Sequence, residues 1–300
     1  MGGFVMRRFF RQAGMILTLL VLLPYIVTVF VNGGSVRSGQ DGTNPYVTVI
    51  REEETKKMPL REYGIGVLAK EIQPEAGKEA VKAQAVLIRT SIYKSIQENG
   101  SDVVLDKKYW SRKQMEENWG GAQFDSFYKK FEEAWDETEG KVLMYEGKLA
   151  LTPYHRLSNG RTRSGNEVFQ TEDYPYLEVK ECPEDLEEDN AMTTTLLQGT
   201  DMEVTKTDSA GYAVQVRCGE ETVSGDEFRN TYHLVSSCFT LQQFDGQIRV
   251  ICTGIGHGLG MSQNTAVKMA EEGKKFQEIL AWFFEGTSLE EVAEILVKPE

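Results

Sequence analysis

Gly140-Lys141-Val142-Leu143-Met144-Tyr145-Glu146-Gly147-Lys148-Leu149-Ala150-Leu151-Thr152-Pro153-Tyr154 is where the chain changes period. Before it, apolar residues recur at three- and four-residue steps. A helix is expected over Leu60–Ile72, followed by Pro74, and another over Lys78–Gln97, where Val81, Ala85, Ile88, Ile92 and Ile96 share a face. A third is expected over Asp125–Thr138. Its stripe of Phe124, Phe127, Tyr128, Phe131 and Trp135 reads as core, and Gly140 closes it. From Val142 the pattern is that of strands: Val142–Tyr145 and Leu149–Tyr154 flank a turn at Glu146-Gly147-Lys148. Further strands are expected at Tyr176–Val179, Met202–Thr207, Tyr212–Cys218, Ser237–Leu241 and Ile248–Cys252, with an early one at Val47–Ile50. Helices return at Gln263–Glu272 and Phe276–Phe284. Helices, then antiparallel strands, then helices is an α+β order.

The chain has 300 residues, 40% of them hydrophobic, enough for one or two domains with a real core. Forty-six acids against 33 bases give a net charge of −13, which argues against a large nucleic-acid face. Four cysteines without a C-x-x-C pair exclude a zinc ribbon, and three histidines exclude a multi-histidine cage. No acid precedes Asp41, whereas Arg7, Arg8 and Arg11 open the chain. Residues 13–31 carry no charge and, as a helix, extend ~28 Å, close to the hydrocarbon thickness of a bilayer. The expected organisation is therefore a cytoplasmic tail over 1–12, a single-pass transmembrane helix over 13–31, a stalk over 32–44 and one extracytoplasmic domain over 45–300. A cleaved signal peptide is the other reading of the same segment. The acidic run Glu181–Asp189 is expected to be an exposed loop.

Three stretches suggest chemistry. Glu71 ends an otherwise apolar helix segment, where a carboxylic acid can hold a proton to donate; an ordinary surface glutamate is the bland reading. Tyr154-His155-Arg156-Leu157-Ser158-Asn159-Gly160-Arg161-Thr162 reads either as a binding loop for hydroxyl-rich or anionic ligands or as a solvated turn. Gly254-Ile255-Gly256-His257-Gly258-Leu259-Gly260-Met261-Ser262-Gln263 has glycines at alternate positions between a strand and a helix, which suits close approach of backbone to a ligand. A dinucleotide fingerprint does not fit its spacing, and a Ser262/His257 hydrolase lacks the nucleophile elbow and an orienting acid.

These stretches carry a resemblance. Leu60-Arg61-Glu62-Tyr63, Val67-Leu68-Ala69-Lys70-Glu71 and Glu79–Thr90 resemble the opening of the stage II sporulation protein D family; the histidine loop and the glycine run resemble its middle and last motifs. The resemblance implies a membrane-anchored peptidoglycan lytic transglycosylase. It would cleave glycan strands stripped of stem peptides, leaving 1,6-anhydro-muramoyl ends, as septal wall is thinned during engulfment of the forespore. It assigns the catalytic acid to Glu71 and lines the groove with Gln84, Arg89, His155, Ser158, His257, Ser262 and Gln263, although Gln84 and Arg89 read equally as helix-packing polars. It further implies an amidase and a multi-span membrane protein as partners. Some members hold zinc with the middle-motif histidine and two cysteines. Here no cysteine follows His155 before Cys182, so neither metal nor cofactor is expected. Arg156-Leu157, Asn159 and Asn264-Thr265-Ala266 also depart from the family pattern, which leaves a wall-binding protein that stimulates an amidase as the competing expectation.

A last expectation concerns Cys238 and Cys252, which face each other across a ladder if the turn at Asp245-Gly246 is centred on residue 245. They then form either a disulfide or a pair of small reduced hydrophobes.

Overall fold

The computed structural model of the chain describes residues 45–51 and 54–292. The tail, the span at 13–31 and the stalk lie outside them. Among the described residues no helix is long and apolar enough to cross a membrane. The longest, Lys78–Asn99, carries Lys78, Glu79, Lys82, Arg89, Lys94 and Glu98 along its length. The fold class is corrected accordingly for the described residues: they are α+β, and no helix among them is long and apolar enough to span a membrane.

Tyr46–Arg51 pairs antiparallel with Glu54–Pro59 and parallel with Val104–Leu105. Pro59, with its fixed φ, leads directly into the first helix, Leu60–Glu71. Ile72 is extended, as a residue close before Pro74 favours, and the helix ends there. The second helix, Lys78–Asn99, is the spine of the molecule. It packs on the first helix, on Gly121–Glu137, on strand Lys141–Tyr145 and on the late helices Gln263–Glu271 and Phe276–Phe283. Its expected stripe is buried, but so are Ala80, Ala83, Val86 and Leu87 on the other faces. Every position from 83 to 90 is buried, so the middle of this helix is enclosed on all sides.

The aromatic helix is buried through Phe124, Phe131 and Trp135, while Phe127 and Tyr128 remain partly exposed. Trp119, from a preceding helix Arg112–Trp119 that the periodicity did not suggest, stacks among Phe124, Phe127 and Phe131. Gly64 lets the first helix approach this face: a Cβ there would stand 2.1 Å from the Trp135 ring.

Strand Lys141–Tyr145 lies between Lys148–Leu149 and Ser288–Glu291. The returning strand of the expected hairpin stops at Leu149 instead of reaching Tyr154. Pro153 lacks the N–H a ladder needs, and Tyr154–His155 pair in parallel with Met261–Ser262 instead. Tyr176–Val179 is not a strand; Tyr176 and Leu177 are buried against Tyr145, Leu280 and Phe283 in irregular backbone. Nor is Glu181–Asp189 an exposed loop, because Pro183 opens a short 3-10 helix, Pro183–Glu187, that turns Asp185 fully inward.

Between Ala191 and Gly254 the chain makes an excursion that starts and ends at one place, where the Gly254 N–H donates to the Ala191 carbonyl at 2.7 Å. Two three-stranded sheets fill it. Gln247–Thr253 runs between Phe239–Phe244 and Met192–Gln198, and Ala213–Cys218 between Met202–Thr207 and Glu221–Ser224. They close over Val216, Phe228, Phe239, Ile248 and Val250. Asp245 and Gly246 both have positive φ, 49° and 76°, and form a two-residue turn. The centre of an even-numbered turn falls between residues. Cys252 therefore faces Phe239 rather than Cys238, whose carbonyl accepts from the Thr253 N–H. Cys252 is buried in the sheet core, Cys238 Sγ contacts Asn159 and Gly211, and all four cysteines are free. The expected pairing is corrected by that one-residue slip.

Candidate active site

Glu71 is partly buried at the last position of the first helix. There an end carbonyl has no partner within the helix. Gln263 supplies one from the far end of the chain: its side-chain amide donates to the Glu71 main-chain carbonyl at 2.9 Å and to Gln84 Oε1 at 3.0 Å. Glu71, Gln84 and Gln263 are thus brought together at the meeting of the first, second and penultimate helices. Gln263 opens its helix immediately after Ser262, whose hydroxyl accepts from the Thr265 N–H as the N-cap.

Tyr154 completes the surroundings of Glu71. Burial raises its phenol pKa well above the usual range, and the Glu71 charge and a hydrogen bond to that carboxyl add to the rise. The phenol therefore stays protonated beside the Glu71 carboxyl.

Both histidines are fastened to one residue. His155 Nδ1 lies 3.1 Å from the Leu259 carbonyl, and the Leu259 N–H donates to His257 Nδ1 at 3.1 Å. A carbonyl can only accept, so His155 carries its proton on Nδ1. Its Nε2 is buried without a partner among the described residues. His257 is the mirror case, with Nδ1 bare. Burial lowers the pKa of His155 to about 4 and of His257 to about 3, the latter lowered further by neighbouring His155. The rings stand 5.9 Å apart as neutral imidazoles. The glycine run allows this fit: Gly254, Gly256, Gly258 and Gly260 all have positive φ, and a Cβ on Gly256 would meet the His155 Cβ at 2.7 Å.

Ser158, Ser262 and Arg89 do not face the groove. Ser158 and Ser262 are fully buried against Asp185. That carboxylate accepts from the Ser158 N–H at 2.7 Å, the Ser262 hydroxyl at 2.7 Å, Thr265 Oγ1 at 3.0 Å and Asn264 Nδ2 at 3.2 Å. Asp185, absent from the sequence reading, ties the histidine loop to the helix that carries Gln263. Arg89 is 2% exposed and donates to the Trp135 and Thr138 carbonyls over the Trp135 ring, closing the C-terminus of the aromatic helix. Arg163, also unforeseen, is ion-paired with Asp208 at 2.7 Å and Asp226 at 3.1 Å and bolts the excursion beside the His257 loop.

Three openings border these residues. One, of about 400 Å³, is lined by Glu71, Trp110, Arg156, Asn190, Gln263 and Asn264, with Glu75, Glu188 and Glu271 on its wall. A second, of about 460 Å³, is lined by Glu71, Lys94, Lys107, Tyr154 and His257. A third, of about 260 Å³, runs from His257 to Phe169. Glu71 borders the first two and His257 the last two, so the openings follow one another in a row. Among the described residues no group of three His, Cys, Asp or Glu side chains is placed to hold a metal ion.

The family model described as "SpoIID: Stage II sporulation protein" matches residues 51–145, the segment that holds Glu71 and Gln84. The chain is 29% identical over 268 residues to stage II sporulation protein D of Bacillus amyloliquefaciens, covering 81% of this chain and 77% of that one. The chain is similar to stage II sporulation protein D over most of its length. To the Bacillus subtilis (strain 168) member it is 29% identical over 272 residues, covering 82% of this chain and 78% of that one. The amidase enhancer of Bacillus subtilis (strain 168) is 25% identical over 294 residues, covering 75% of this chain but 40% of the enhancer. The family resemblance read from the three motifs thus holds, and the relatives' names connect it with sporulation.

Proposed function

We propose that this chain is a peptidoglycan lytic transglycosylase acting outside the cytoplasm during sporulation, on glycan strands already stripped of stem peptides. The observation that carries the reading is the position of Glu71 between two openings of a row, partly buried and held at main chain and side chain by Gln263 and Tyr154. A row of openings suits a polymer better than a small ligand, and the two that Glu71 borders, about 400 and 460 Å³, are the size of ordinary ligand pockets. One carboxyl group suffices for the reaction. Glu71 gives its proton to the glycosidic oxygen as the C1–O bond breaks. The resulting carboxylate then takes the proton of the muramoyl C6 hydroxyl, whose oxygen closes onto C1. No water is consumed. Glu75, Glu188 and Glu271 offer the second carboxylate that glycoside hydrolysis requires, so the product decides between the two chemistries. Mass spectrometry of stripped strands after incubation is expected to show muramoyl ends lighter by one water, and Glu71→Gln is expected to abolish them. Ordinary reducing ends, or undiminished anhydro ends from Glu71→Gln, overturn the reading.

The likeness to the amidase enhancer favours a second reading, a wall-binding protein that recruits or stimulates an amidase. On that reading the wild-type chain binds stripped strands, yields no new ends and raises the rate of an added amidase. In either case an amidase and a multi-span membrane protein of the engulfment machinery are the proposed partners.

A further inference from the structure

Five cations line the two openings that Glu71 borders, Lys70, Arg156 and Lys268 in the first and Lys94 and Lys107 in the second, and Lys268 is ion-paired with Glu271. In the second opening, Lys94 is ion-paired with Glu98 at 2.8 Å and donates to the Leu149 carbonyl. Lys107, on the same wall, has no ion pair among the described residues. Its ammonium stands 5.4 Å from the centroid of the Tyr154 ring, and the Tyr154 hydroxyl is bonded to Glu71. The side chain is partly buried and its carbonyl is pinned by the Tyr63 hydroxyl at 3.1 Å, which fixes the root of the side chain. In a chain of net charge −13, an uncompensated ammonium beside the acid is left for an incoming anion.

A glycan strand offers one such anion. When amide hydrolysis removes the stem peptide, the lactyl ether on each muramoyl sugar ends in a free carboxylate. A peptide-bearing sugar has a neutral amide at that point, and an N-acetylglucosamine polymer has nothing. We propose that Lys107 forms the subsite for the lactyl carboxylate of a peptide-stripped muramoyl residue, next to the bond that Glu71 addresses. The inference rests on the reading of the row of openings as a glycan groove. A charge-assisted hydrogen bond of this kind discriminates by about tenfold.

The test uses the full chain carrying Glu71→Gln, so that strands are bound without being cut. Affinity is measured for three probes: a stripped muramoyl tetrasaccharide, the same sugar with its lactyl carboxyls converted to methylamides, and chitotetraose. The carboxylate probe is expected to bind about tenfold tighter than the methylamide. Adding Lys107→Met is expected to bring the two together, and Lys107→Arg to restore the difference. A carboxylate-to-methylamide ratio that Lys107→Met leaves unchanged, or a ratio near one in the parent, overturns the subsite while the groove stands. Failure of all three probes to bind overturns the groove and the subsite together.

Discussion

The side-chain amide of Gln263 donates to the main-chain carbonyl of Glu71 at 2.9 Å, although 192 residues separate them. The same nitrogen also reaches Gln84 Oε1, so two buried or partly buried acceptors depend on one donor. Gln263→Leu leaves both without it, and each orphaned acceptor costs about 1–3 kcal/mol. The variant is expected to unfold at lower urea and to make fewer anhydro ends. Combining it with Gln84→Leu removes one of the orphans, so the double variant is expected to be more stable than the sum of the singles while remaining poorly active. Strictly additive urea midpoints would contradict the coupling.

Asp185 should be the costliest acid to lose. Its carboxylate accepts from a main-chain N–H and three side chains in a fully buried setting. Asp185→Ala is expected to destabilise by about 3 kcal/mol or more, since several buried donors lose their acceptor at once. Asp185→Asn, which keeps the shape and one acceptor oxygen, is expected to cost less. Denaturation midpoints of the two variants check the order; a silent Asp185→Ala would contradict it.

Acid should weaken the fold through His155. Burial holds its pKa at about 4 against an ordinary 6.5. Above pH 6.5 neither folded nor unfolded chain holds this proton. As pH falls from 6.5 towards 4, the unfolded chain takes up a proton that the fold refuses, so stability declines by about 3 kcal/mol and levels off below. Carboxylates titrate in the same window, so the comparison is with His155→Asn, which is expected to show a shallower decline between pH 6.5 and 4. Parallel stability curves for the two proteins would count against this account.

Four thiols are expected when the denatured, unreduced protein is titrated, because the turn at Asp245-Gly246 sets Cys252 opposite Phe239. Two thiols would mean that a disulfide forms.

What could be read from sequence was what periodicity and local chemistry encode. The helix bearing Glu71 follows from its apolar steps, and the ending near Pro74 from proline itself. The helix at Arg112–Trp119 had a cue in Ser111 and Gln114, which form a capping box, but its weak apolar pattern concealed it. Asp185 was hidden because an acidic run has the same composition whether dissolved or folded inward. Pro183, at the first turn of the short helix, was its one local sign. Arg89 read equally as a groove cation and as a helix-packing group, because sequence spacing does not reveal that its helix is enclosed on every side. Ser158 and Ser262 sit in the recognised motifs, yet they hold the loops together from behind. Pairings such as Tyr154 with Glu71, or Gln263 with Gln84, join segments far apart in the chain, which no local pattern records.

The contact between Ala191 and Gly254 makes residues 192–253 a cassette. Since the two ends of the segment meet at one hydrogen bond, lengthening or trimming its outer loops changes the entropy of a closed loop, which grows only with the logarithm of its length. A replacement must keep the carboxylates of Asp208 and Asp226 on Arg163, the Tyr212 hydroxyl between Asn159 and Arg161, and the main-chain bonds of Val235 and Ser237 to Gly256. Within those limits the far ends of the two sheets can change in length while Glu71, Gln84 and Gln263, which lie outside the segment, keep their contacts.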